Sequence, residues 1–125
     1  MANDVTLMTS VAGCIISLLV AQHMALRLSV FAVLMTSIGY HGFSRRKGGL
    51  VHKIDIATVA VCVAVHVSHC PDYYFATLAS HYGGTIFMFG CAHNIGEKAW
   101  YLTSVAHACG AFSNFALSNA MAEVL

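Results

Sequence analysis

Apolar positions fall into five long runs, near residues 5–24, 28–43, 54–70, 73–92 and 98–120, separated by short polar breaks. At about 1.5 Å of rise per helical residue, runs of this length approach or span a hydrocarbon core. The apolar residues are continuous rather than alternating, which predicts helices and not the strands of a membrane barrel. The second run is short and meets the first at a tight turn near His23 to Arg27, so the pair reads as a helical hairpin. Cys70, Pro71 and Asp72 separate the third run from the fourth. No internal repeat, low-complexity tract or linker interrupts the series. The expected architecture is all-α: one multi-span transmembrane domain over residues 1–125, with about five helices.

Composition points the same way. The chain is 58% hydrophobic and 9% charged, with a mean hydropathy of +0.74, against about 25% charged residues in an ordinary soluble domain. Five acidic and six basic residues are too few to cover a water-facing surface. A formal net charge of +1 gives no reason to expect a nucleic-acid partner. Arg45, Arg46, Lys47 and Lys53 lie between the second and third runs, and Lys98 opens the fifth. The positive-inside rule assigns that face to the cytosol, or to the matrix or stroma, with the N-terminus on the same side and the C-terminus opposite. Residues 1–4 lack the basic segment of a cleavable secretory signal.

The five cysteines, at 14, 62, 70, 91 and 109, show no CxxC spacing and read as small core residues rather than as thiolates of a zinc or iron–sulfur site. The eight histidines carry more information. His23, His52, His69 and His93 fall near run ends, where an imidazole meets water or headgroups, whereas His41, His66, His81 and His107 lie deeper. An ionisable side chain at membrane depth costs a few kcal/mol unless it is paired or coordinated, so the deep histidines are the candidates for function. The topology sorts them. His41 closes the second run, Asp55 opens the third on the same face, and His107 sits about two and a half turns into the fifth; Ser37 precedes His41 by one helical turn. These four are expected to line one inward polar pocket. His66 lies eleven residues beyond Asp55, about 16 Å along the axis, and is expected at the opposite end in a polar cluster with His69 and Asp72.

The segment SIGYH, a polar loop and then IDIATVAV resemble the SxxxH and downstream aspartate signature of the CREST superfamily of membrane hydrolases, which includes alkaline ceramidases, progestin and adipoQ receptors and the myomaker-like group. WYLTSVAHACGAF at residues 100–112 resembles the last-span segment of that superfamily. The resemblance implies a zinc-dependent lipid amide or ester hydrolase, with His41 and His107 as zinc ligands and Ser37 and Asp55 assisting a metal-bound water. Two departures mark the chain: Thr103 stands where the first histidine of the last-span pair is expected, and there is room for five spans instead of seven. The resemblance thus extends to a degenerate, non-catalytic relative.

Two other classes compete. Small residues at helical spacing, Gly13 and Ser17 or Ser104, Ala108 and Ala111, suit close helix approach in an accessory subunit of a larger membrane complex. A b-type haem held by His66 with His81 or His107 is the further alternative. Membrane lipids, and in the second class other membrane subunits, are the partners expected. Single cysteines introduced by Lys47→Cys and Ala122→Cys, with the native cysteines replaced, should label from opposite sides of a sealed vesicle; labelling of both from one side would overturn the topology.

Overall fold

In the computed structural model, which describes residues 2–44 and 46–124, five helices follow one another: α1 (Ala2–Val20), α2 (Met24–Ser37), α3 (Leu50–Ser68), α4 (Phe75–Ile95) and α5 (Trp100–Val124). No strand occurs among the described residues. Each helix falls on one of the five apolar runs, and the breaks have local causes. The His23 ring accepts a hydrogen bond from the Ala25 N–H at 3.3 Å and so caps α2. Gly48, at φ 77°, takes the left-handed conformation that turns the chain into α3, and its N–H donates to His52 Nδ1 at 2.9 Å. Pro71 and a 3₁₀ turn at Asp72–Tyr74 lead into α4, and Gly96, at φ 91°, ends it.

The end of α2 departs from the expected continuous α-helix. Ile38–Ser44 winds as a π-helix, in the stretch that contains Gly39 and Gly42, two poor α-helix formers. The wider π turn changes the angular step between Ser37 and His41. As a result, side chains one turn apart in sequence fan out toward different neighbours.

Helices α1, α3 and α5 run in one direction, and α2 and α4 return. Successive elements therefore pair antiparallel, as seen in Ser37 meeting Asp55 and Cys62 meeting Ser29 between α2 and α3. Helices α1 and α5 instead lie parallel, with a constant offset in numbering: Thr6 meets Ser104 and Thr9 meets His107, each pair 98 residues apart, and Ser17 meets Asn114, 97 apart. Midway, a Cβ on Gly13 would lie 3.1 Å from the Ala111 Cβ, so glycine is what permits this approach. Of the small residues that suited an external subunit, Gly13 and Ala111 thus face each other within the chain, while Ala108 is exposed.

The outer surface is apolar and the interior is mixed. Leu19, Phe43 and Phe87 are 81%, 85% and 72% exposed, whereas Thr6, Ser10, Ser17, Ser37, Asp55, His66, Thr85, Ser104 and Ser113 are buried. Buried apolar side chains gather away from the basic loop, where Ala21, Leu26, Leu78, Tyr82 and Leu117 form a cluster. Two stretches, Met24–Ser44 and Leu50–Ser68, are long and apolar enough to cross a hydrocarbon core, and Asp4–Val20 is apolar but shorter. Helices α4 and α5 are long enough, but Ser80, His81 and Asn94 in the one and Ser104, His107, Ser113 and Asn114 in the other dilute their hydropathy. The expected five spans thus correspond to five helices, two of which are candidate spans by length and composition.

Gly13→Leu should force α1 and α5 apart and lower the stability of the purified protein by about 1–3 kcal/mol, the range for overpacking a close contact. Gly13→Ala, which adds only the Cβ, should fall between wild type and Gly13→Leu in thermal unfolding. An unchanged midpoint for Gly13→Leu would contradict the packing.

Candidate functional site

The loop end of the bundle collects the four residues singled out in the sequence, in two groups. Ser37 Oγ, from the last turn of α2, donates to Asp55 Oδ1 at 2.9 Å, and both residues are buried. Thr36, its neighbour, donates to the same oxygen at 2.8 Å, although its hydroxyl also lies 3.1 Å from the Val33 carbonyl. A carboxylate accepting two hydroxyl bonds at one oxygen is held in a single orientation and has part of its charge satisfied within the bundle. The Ser37 proton is engaged with Asp55, so an oxyanion would compete with that bond for it.

The second group is the histidine pair. His41, in the π segment after α2, and His107, on α5, meet with ring centroids 5.3 Å apart and planes at 85°. Phe89 of α4 contacts the His107 ring at 5.4 Å, and Tyr40 contacts His41 at 4.6 Å and stacks on His52 at 4.4 Å. Thr9 of α1 holds the other side of His107, its hydroxyl 3.4 Å from Nδ1. Helices α1, α2, α3, α4 and α5 therefore all reach this end of the molecule.

The resemblance implies zinc, and the donor set meets it in part. Zinc–nitrogen bonds of about 2.0–2.1 Å at a tetrahedral centre put the centroids of two bound imidazoles about 5 Å apart, which the His41–His107 spacing matches. Among the described residues, however, no group of three or more histidine, cysteine or acidic side chains is placed to hold a metal ion. Two imidazoles do not make the three-ligand site of a zinc hydrolase.

At the next level, about 10 Å further along α5, lies a network that the sequence pattern did not reveal. His66 Nδ1 sits 2.7 Å from the Tyr82 hydroxyl and 2.9 Å from Asn114 Oδ1, and Tyr82 donates to that same oxygen at 2.6 Å. Asn114 Nδ2 donates to Ser17 Oγ at 3.2 Å, and Ser17 Oγ in turn donates to the Gly13 carbonyl at 2.8 Å. On the other side of the ring, Nε2 faces Cys62 Sγ at 3.7 Å, which in turn donates to Ser29 Oγ at 3.5 Å. All five helices contribute. Asn114 follows His107 by seven residues, two turns on the same face, and that spacing was the available signal for it.

The expected cluster of His66, His69 and Asp72 therefore does not form as drawn. His66 points inward to Tyr82 and Asn114, while His69 bonds locally, 2.9 Å from the Val65 carbonyl and 3.1 Å from Ser68 Oγ, and packs its ring 4.5 Å from His23. The reason is angular: residues three apart on a helix end differ enough in direction for one to face the core and the other the rim. Of the histidines considered for haem, His81 packs on Phe112 at 5.9 Å, and its buried Nδ1 has no hydrogen-bond partner among the described residues. Beyond α3, burial and then the Asp72 carboxylate push the Cys70 thiol above its ordinary range, which disfavours the thiolate that a metal needs.

Compared with known proteins, the chain matches no family model, no curated protein and no solved structure.

Asn114→Leu removes the shared acceptor of Tyr82 and His66 together with the donor to Ser17, leaving buried polar groups unmatched. It should cost about 1–3 kcal/mol in unfolding free energy. Ser118→Leu, one turn further along the same helix and outside the network, should cost less. Equal effects would argue against the network as a stabilising unit.

Proposed function

We propose that this is a multi-span membrane protein whose loop-end cluster is a hydrolase-type metal site reduced to two histidines. The membrane setting is supported by the distribution of side chains: large apolar groups cover the outside, serine, threonine, aspartate and histidine are buried, and two helical stretches have the length and composition of spans. Such a surface suits lipid acyl chains and is costly in water. The basic residues Arg46, Lys47 and Lys53 gather at the end that carries the candidate site, which orients that end toward the cytosol or its matrix or stromal equivalent.

The observation that carries the functional reading is the meeting of His41 and His107, 66 positions apart in the chain, at the same end as the Ser37–Asp55 bond. His41 and His107 would hold the ion. Zinc, when bound between such ligands, supplies a water whose pKa falls to about 7. Asp55 is a carboxylate fixed in place by Thr36 and Ser37, suited to accepting a proton at that end of the bundle. The substrate class that goes with the resemblance is a lipid amide or ester. With Thr103 in the position of the third ligand, the chain binds metal weakly and is a non-catalytic relative of such enzymes. The subunit alternative keeps part of the feature that suggested it: Gly13 and Ala111 pack on each other within the chain, whereas Ala108 is exposed.

The test is to restore the missing ligand. Thr103 precedes His107 by one turn on α5, so Thr103→His presents a third imidazole on the same face. Zinc titration of the purified protein should give weak binding for wild type, loss of that binding for His41→Ala, and affinity at least about 100-fold tighter for Thr103→His. Binding in Thr103→His no tighter than in wild type, or untouched by His41→Ala, would overturn the proposal.

A further inference from the structure

At the end of the bundle away from the basic loop, an aromatic cleft lies between the turn that opens α4 and the second half of α5. It encloses about 350 Å³, and Tyr73, Tyr74, Phe112, Phe115, Asn119 and Ala120 are among the residues that line it. On α5, Phe112, Phe115 and Asn119 recur at steps of three and four and so share one helical face. From the turn, the Tyr73 hydroxyl donates to the Ala120 carbonyl at 2.9 Å and ties the two walls together. The Tyr73 and Tyr74 rings stand 6.5 Å apart at 65°, so their faces point in different directions instead of covering each other. Tyr73 and Phe112 are 63% and 61% exposed, which opens the cleft to the outside of the bundle.

Four aromatic rings around a small space offer the negative faces of their π systems to a cation. No lysine or arginine lines the cleft, and Asp72 precedes Tyr73 in the same turn, so the local charge favours a cation over an anion. A primary ammonium carries three N–H donors, for which a lining of rings and methyl groups has few acceptors. A quaternary ammonium has no N–H to satisfy and packs its methyl groups on the rings. Asn119 adds an amide donor suited to a phosphate oxygen beside such a group. We infer that this cleft binds the quaternary ammonium of a choline phospholipid headgroup. The lipid as its source rests on the membrane setting proposed above, and not on the metal reading. Tyrosines belong at headgroup depth on a membrane protein, and Val105, two turns before Phe112 on the same face and 48% exposed, extends an apolar track along α5 for an acyl chain.

The experiment is native mass spectrometry of the full chain in a maltoside detergent, which carries no ammonium, titrated with short-chain phosphatidylcholine, phosphatidylethanolamine, phosphatidylglycerol and the phosphatidylcholine analogue whose quaternary nitrogen is replaced by carbon. Phosphatidylcholine should bind at least about 5-fold more tightly than each of the others. Phe115→Leu, at a position 40% exposed, should remove most of that preference, and Phe115→Trp should keep it. Equal affinity for phosphatidylcholine and its carbon analogue, as a general aromatic belt would give, would overturn the inference; so would a preference that survives Phe112→Leu with Phe115→Leu. Free choline bound as tightly as the lipid would overturn the headgroup assignment. Protein that stays monodisperse once the maltoside is removed would overturn the membrane setting separately, and the carbon analogue would still decide whether the cleft selects the charge.

Discussion

The close approach of α1 and α5 at Gly13 and Ala111 is the contact on which the other arrangements depend. Two parallel helices with a constant offset repeat their pairings turn after turn, so one permitted approach fixes a ladder: Thr6 with Ser104, Thr9 with His107, Ser17 with Asn114. A larger residue at position 13 would separate the axes, and the short hydroxyl side chains at the other rungs would no longer reach. The first and last helices thereby close the bundle, with α2, α3 and α4 completing the circuit between them.

Within that frame, Asp55 and His66 are satisfied by neighbours from other helices, whereas Thr85 and Ser113 bond carbonyls of their own helices. Asp55 draws on two hydroxyls of α2, and His66 on a tyrosine of α4 and an asparagine of α5. In the proposed lipid setting this pairing is required, because an unpaired hydroxyl or carboxylate costs several kcal/mol where no water can replace the partner. It also makes the fold specific: apolar side chains pack in many registers, but the Asn114 amide reaches Tyr82, His66 and Ser17 together in few. The largest buried apolar side chains lie at the far end, where Leu26, Leu78 and Leu117 are almost completely buried.

The helices were legible because their signal is length and continuity of apolar residues, which short polar breaks punctuate clearly. Convergence at the loop end was legible for a related reason: alternating helix directions bring the end of the second run and the starts of the third and fifth together. The sequence pattern was silent on the angular detail. A π turn over Ile38–Ser44 has no signature beyond two glycines, yet it carries His41 to His107 after Ser37, in α2, has met Asp55. Thr36 and Thr9 escaped notice because a threonine in an apolar helix usually bonds its own backbone, and both lie within reach of such a carbonyl as well. Tyr82 and Asn114 were passed over because hydrophobic periodicity does not mark which polar residue will meet which.

What holds His41 and His107 together without a third ligand is ordinary aromatic packing. Their rings meet edge to face, and Phe89 and Tyr40 support them from either side. Thr9 of α1 contacts the pair through its hydroxyl, 3.4 Å from His107 Nδ1. None of these contacts requires an ion, in contrast to structural zinc sites, where the metal supplies folding free energy outright. The proposed metal would therefore enter a preformed pair, and its binding energy would not be spent on organising the chain. In the proposed reading Thr103 stands where a third ligand would be, and packing and hydroxyl bonds hold the remaining residues in place without it.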